Sequence, residues 1–419
     1  MTMKDQMPNN FQFTARLFLS AVVLTIGMVS CGDSRNSPIA EMNESDPSLE
    51  AAIEGFGTEI ASRSEEALAA ENTGAVKNLV PEVQPSMDVL QFRGPQKNSL
   101  YSGQINPQAL ENGAKIIWQT NLHMGFSSVS ISGNKLVTIG SSENTDTVWC
   151  LESDTGNVIW QYTFNTEYSG YPGAKTTPTI DGESVFTLAS KGMLHSFDIN
   201  SGKINWSKNI SEEFGAVPTR YLFSASVGIS GDILVLNANK SGIALNKKTG
   251  ALIWSSSEGT GGYAAPVFFK AGDIEAVALF GAEALYGVEL ATGRVLWTYE
   301  WITYQEVNVA DPLVFDDKIF ISSGYATGCV LLRFTDSSIT QLWQNKNMCA
   351  HFTSPVYYNG FIYGVSGNTS EQCAFRALDP ETGTVVFQKL MRLSNFIFVN
   401  NTAVIISEGG GAFAQRSFL

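Results

Sequence analysis

The chain has 419 residues, 44% of them hydrophobic, with 16% charged side chains and a net charge of −14. That balance excludes a general affinity for nucleic-acid phosphates. Many glycines (38) and aromatics (11%) beside few charges exclude a fold of long charged helices and favour turn-rich β-structure.

The first predicted element is an address rather than part of a fold. Lys4 and Arg16 precede an uncharged run from Leu17 to Val29. A membrane-crossing helix needs about 20 apolar residues, so this shorter run suits a signal-peptide core. It ends in Met28-Val29-Ser30-Cys31-Gly32, which resembles the bacterial lipobox, with Met28 where leucine is usual. The resemblance implies that residues 1–31 are a lipoprotein leader and that Cys31 is lipidated. An ordinary signal peptide with Cys31 as a bystander is the alternative. Gly32 in place of Asp resembles lipoproteins not retained at the inner membrane, which implies an outer-membrane anchor facing the periplasm.

Residues 32–88 read as an acidic flexible tether. Across 32–90 there are 12 acidic and 3 basic side chains, a net −9. Strand periodicity is absent, and Pro81 and Pro85 close the segment. Asp46 to Ala70 is compatible with a weak helix whose apolar face is thin.

From residue 89 to 419 the chain repeats itself. One half of the repeat is a Thr/Ser-Gly turn followed by an aromatic. Thr155-Gly156 leads to Trp160, Ser201-Gly202 to Trp206, Thr249-Gly250 to Trp254, Thr292-Gly293 to Trp297, and Thr382-Gly383 to Phe387. Gly113 with Trp118 is a fragment of this unit, and Trp343 marks a copy that lost its Thr-Gly. These aromatics are 42 to 48 residues apart. The other half is a hairpin, starting at Ser128, Thr177, Ala225, Ala265, Asp311, Ser354 and Asn395 and turning at pairs such as Asp181-Gly182 or Asn359-Gly360. Four strands per unit predict an all-β fold, a β-propeller of four-stranded blades. The count gives seven blades, with eight open if the last blade is truncated around Gly409-Gly410-Gly411. The orphan half-repeats at the two ends predict that N- and C-terminal segments share one blade, with Trp118 on its outer strand.

The Thr-Gly-x-x-x-Trp repeat resembles the quinoprotein-type (PQQ-like) propeller repeat. Pyrroloquinoline-quinone dehydrogenases share it with BamB, the propeller lipoprotein of outer-membrane β-barrel assembly. Gln91-Phe92-Arg93-Gly94-Pro95, Ile321-Ser322-Ser323-Gly324-Tyr325 and Asn345-Lys346-Asn347-Met348 are similar to segments of PQQ-like propeller lipoproteins. The resemblance specifies fold, not function. Its dehydrogenase branch implies adjacent half-cystines, a Ca²⁺ site of Glu, Asn and Asp, and a catalytic Asp. Here no two cysteines are adjacent and no such set is assignable by motif. The reading is therefore a membrane-tethered, non-enzymatic binding or scaffold module of the cell envelope, in outer-membrane protein assembly if it follows BamB. No catalytic residue, cofactor or metal is assigned. The alternative is a dehydrogenase-like oxidoreductase using PQQ with Ca²⁺.

Propeller geometry puts the loops between blades on one face, together with the loops joining second and third strands. Aligning them places Lys175, Tyr263, Asn308 and His351 near the channel mouth, with Arg220 and Tyr221 in the equivalent loop of another blade. This set is the candidate face for an envelope protein or a small ligand, or else it bonds backbone and water. His351 on a ligand would lend pH dependence near neutrality; His123 and His195 read as structural. Cys150 reads as a buried thiol. Cys329, Cys349 and Cys373 fall in neighbouring loops, where Cys329–Cys349 and Cys349–Cys373 are both reachable disulfides.

Overall fold

A turn that reverses the chain beside a packed indole needs a residue without a side chain, and this requirement recurs around the molecule. The computed structural model describes residues 88–103, 105, 116–166, 173–368, 372–408 and 412–416. The leader, Cys31 and the tether as far as residue 87 lie outside the described residues. The Thr-Gly turns link third to fourth strands, with Gly202 at φ 69° and Gly293 at φ 75°, a region glycine enters at little cost. There is a second reason for glycine. A Cβ on Gly202 would lie 2.6 Å from the ring of Trp160, and one on Gly293 2.6 Å from Trp254. Each turn thus seats the indole of the preceding blade, whose N–H donates into it: Trp160 to Ile199 O (2.8 Å), Trp206 to Lys247 O (3.0 Å), Trp254 to Leu290 O (2.8 Å) and Trp343 to Pro380 O (2.7 Å). In blade 5, whose turn lacks Thr-Gly, the buried Trp297 indole N–H of the preceding blade has no acceptor among the described residues.

These units assemble into seven four-stranded sheets, the blades of a β-propeller. Blade 1 spans 130–165, blade 2 179–209, blade 3 228–255, blade 4 267–300, blade 5 313–345 and blade 6 356–391, each with strands in chain order from the axis outward. Blade 7 combines Ser394–Val399, Thr402–Ser407 and Ala412–Arg416 with Leu100–Tyr101, which pairs parallel to Ser394–Val399 on its inner side. The two ends of the propeller therefore share a blade, as expected, although the strand that joins them is Leu100–Tyr101. Residues 116–122 form no ladder. Trp118 is therefore not on the outer strand of the shared blade, which is Ala412–Arg416; it lies against blade 1, where its Nε1 donates to Ser153 O (2.9 Å) and its ring covers Gly156. It stands on blade 1 as Trp160 stands on blade 2.

The core lies between the faces of neighbouring blades. Val137, Ile139, Val148 and Cys150 of blade 1, with Trp160, meet Ile180, Val185 and Phe197 of blade 2, and equivalent clusters recur around the ring. In blades 1 to 6 the third-to-fourth strand pairing carries a bulge at the residue preceding the aromatic, such as Ile159 between the pairs Leu151–Val158 and Cys150–Trp160. The extra residue breaks in/out alternation, so Val158 and Ile159 both face solvent, as do Leu252 and Ile253.

Candidate partner-binding face and a filled axis

The hairpin starts read from sequence meet around the axis. Ser128 N–H donates to Thr177 Oγ1 (3.3 Å), Thr177 N–H to Ser226 Oγ (2.8 Å), Ala265 N–H to Asp311 Oδ1 (2.8 Å) and Asp311 N–H to Ser354 Oγ (2.9 Å). Short polar side chains thus tie each blade to the next, where an innermost strand has no neighbour of its own.

Inside this ring the channel is filled by the chain itself. Val89 bridges Ile131 of blade 1, and Leu90 O accepts from Ile180 N–H of blade 2 (2.7 Å). After a tight turn the segment returns along blade 7 as Leu100–Tyr101. The turn carries two buried cations. Arg93 donates to Asp311 Oδ2 (3.4 Å), Pro355 O (2.6 Å) and Ser99 Oγ (3.1 Å). Lys97 donates to Pro266 O (3.1 Å), with its ammonium 5.7 Å from the Phe268 ring centre. Residues 88–101 are an axial finger touching blades 1, 2, 4, 5, 6 and 7.

The predicted face residues separate by role. Asn308 is fully buried; its Nδ2 donates to Gly281 O (3.0 Å), Ala282 O (3.1 Å) and Trp301 O (3.3 Å), and its Oδ1 accepts from Ser323 Oγ (2.8 Å). It is a brace for the loop 301–308, not a group turned to a ligand. Tyr263 is buried too; its hydroxyl accepts from Tyr221 N–H (3.3 Å), and burial raises its pKa. Tyr221 donates to Gln305 Oε1 (3.1 Å), and the exposed Arg220 guanidinium lies 5.9 Å from the Tyr221 ring centre. Lys175 belongs to the loop between blades 1 and 2, half-buried over Phe126 (5.9 Å) and donating to Gly173 O (3.2 Å), with its pKa lowered to about 8 by burial. His351 is buried against Tyr325 (5.1 Å between ring centres) and Phe352 (4.0 Å), with no partner for Nδ1 among the described residues. Burial lowers its pKa to about 4, so the expected titration near neutrality is corrected: this imidazole stays neutral there. Cys150, Cys329, Cys349 and Cys373 are in no disulfide, so neither reachable pairing is formed.

Beside the exposed Arg220, the loop face offers to solvent two tyrosines to which sequence reasoning gave no role. Tyr304 (64% exposed) and Tyr325 (44%) meet edge to face at 5.6 Å on the loop face. Their loops are held in the left-handed region: Gln305 and Glu306 at φ 58°, Tyr325 at 52° and Ala326 at 56°. Non-glycine residues rarely sit there, and such strain gathers at functional sites. Asn308 braces one loop. His351 lies beneath Tyr325 in the other, where a Cβ on Gly324 would come 2.7 Å from the His351 Cβ. The signal in the sequence was an aromatic in a polar or glycine-rich loop, outside the strand alternation.

Comparison with known proteins places this geometry. The profile of a family described as outer membrane protein assembly factor BamB matches residues 102–257 and 144–389. The BamB proteins of Shewanella oneidensis (23% identical over 272 residues, covering 62% of this chain and 62% of the relative) and Yersinia pestis (25% over 275 residues, 59% and 63%) are similar to it. The match thus spans less than two thirds of these curated relatives. Among solved structures, BamB from Moraxella catarrhalis has a TM-score of 0.54 at 19% identity, covering 71% of this chain and 85% of that one. Quinohemoprotein alcohol dehydrogenase from Comamonas testosteroni has 0.59 at 9% identity, covering 87% and 77%. At these identities the likeness is of fold alone. With the profile matching well over half of its length, the chain belongs to the family of the outer membrane protein assembly factor BamB, built on PQQ-like propeller repeats.

Proposed function

We propose that this chain is a non-enzymatic propeller of the cell envelope that holds a protein partner in outer-membrane protein assembly, tied to the membrane through a lipid on Cys31. The observation that carries the reading is the exposed Tyr304–Tyr325 pair, set on strained loops over a buried brace. Tyrosine is enriched at interface hot spots because a rigid ring covers much area at little entropic cost. The opposite face offers near-identical Thr-Gly turns and little to tell one partner from another. Family membership supports the assembly role, and the lipobox-like residues around Cys31 support the anchor.

The test is capture of envelope proteins on the wild-type chain, followed by binding of the captured partner to variants. Tyr304→Ala with Tyr325→Ala should weaken binding by about 30-fold or more, the loss of one hot spot. Thr249→Ala on the turn face should leave it unchanged. Equal loss in both, or none in the tyrosine variant, rejects the face. For the anchor, fatty-acid label should appear on the wild type and vanish in Cys31→Ala; equal label rejects it.

A further inference from the structure

The axial finger has a charge that the described residues around it do not balance. Arg93 and Lys97 are each 8% exposed, and Asp311, at 3%, is the one carboxylate among the described residues acting on both. Two buried cations against one carboxylate leave a surplus of one positive charge. A buried charge without a counter-charge costs several kcal/mol, and it is tolerated when something pairs with it. Donors are also in surplus. The Lys97 ammonium has three N–H groups, and its hydrogen bond is to Pro266 O (3.1 Å). Three contacts use part of the five donors of Arg93. Tyr101 packs on the same turn: a Cβ on Gly94 would fall 2.8 Å from its hydroxyl.

We propose that the axial finger holds a small monovalent anion of halide size between the Lys97 ammonium and the Arg93 guanidinium. The valence follows from the single surplus charge, which a dianion would overshoot. The size follows from enclosure, since both cations are buried by the finger and the innermost strands. Desolvation already lowers the Lys97 pKa to about 8, the response expected of an ammonium whose counter-charge is incomplete, and an anion there would restore its affinity for the proton. The ion would act as a pin, holding the finger in the channel.

Bromide is the probe, because it replaces chloride and scatters anomalously. Crystals of the full chain grown in sodium bromide should show an anomalous peak within hydrogen-bond reach of Lys97 Nζ. In solution, melting temperature should rise and saturate as bromide replaces gluconate, a bulky monovalent anion, at constant ionic strength. Lys97→Met should lower the apparent bromide affinity by at least about tenfold, the loss of one charge-assisted hydrogen bond. In gluconate it should melt no lower than wild type, since the surplus charge is gone. A map with no peak at Lys97 overturns the proposal, as does a Lys97→Met variant that responds to bromide like wild type or melts lower in gluconate. If that variant does not fold, the map on the wild-type chain decides.

Discussion

The sharpest test of how the blades are joined compares Gly202→Ala with Gly182→Ala. Both glycines have positive φ, 69° and 58°, so both substitutions incur the left-handed penalty of about 1–2 kcal/mol. They differ in what the new methyl meets. Nothing lies within 4 Å of a Cβ on Gly182, whereas one on Gly202 falls 2.6 Å from the Trp160 ring. Ordinary carbon contacts are about 3.5–4.0 Å, so the indole must retreat by about 1 Å. Trp160 is buried and donates to Ile199 O at 2.8 Å, so it cannot retreat freely. Overpacking of this kind costs about 1–3 kcal/mol, and loss of the indole hydrogen bond about 1 kcal/mol more. Gly202→Ala should therefore lose about 3–6 kcal/mol, against about 1–2 for Gly182→Ala. Equilibrium urea denaturation followed by tryptophan fluorescence measures both. Equal losses would show that the turn glycines serve backbone geometry alone and that the indole seat is incidental.

Burial holds His195 and His351 at about 4, while the unfolded chain titrates them near 6.5. Between those values the unfolded state binds protons the native state does not, so the stability they contribute is complete above about pH 6.5 and lost as pH falls through about 4; His351→Gln should flatten that acid limb of a urea-midpoint profile. Asp311→Ala leaves Arg93 buried without its carboxylate and Ala265 N–H without its acceptor, a loss of about 3–5 kcal/mol, whereas Arg93→Met with Asp311→Leu should cost less than that single change in the same assay. Native alkylation followed by mass spectrometry should modify Cys349 before Cys150, Cys329 and Cys373, which are buried. Because burial raises the Cys349 pKa, the rate should keep climbing above the ordinary thiol range near 8.5.

The repeat was legible because its two anchors, a glycine at a turn and an aromatic four or five residues on, are local demands of chain reversal and packing. The hairpin starts were legible for the same reason. The closing strand was not: Leu100–Tyr101 is two residues long, below any periodicity, and its partner lies at Phe398–Val399. Outer strands were hard to delimit because the bulge before each aromatic breaks alternation at the point where a reader would count it. At the face, sequence located loops correctly but not side-chain direction. Asn308 and His351 occupy the predicted loops and turn inward, because residue type does not say whether an amide or imidazole meets water or a carbonyl. The Arg93–Asp311 pair spans 218 residues, so neither neighbourhood announces the other.

The finger also constrains where recognition can occur. To place a ligand on the axis, the chain would have to give up the Arg93–Asp311 ion pair, the Lys97 contact to Pro266 O and the pairing of Leu100–Tyr101 with blade 7. A ligand would thus have to offset the buried charges it left behind as well as its own desolvation. The loops around the mouth carry no such cost. Tyr304 and Tyr325 already stand in solvent, their backbone strain is already offset by the folded braces beneath them, and a partner that covers them gains apolar burial without dismantling anything. The recognition proposed for the rim and the closure seen on the axis therefore fit one arrangement, in which the chain's own segment 88–101 takes the site that an open propeller would leave to others.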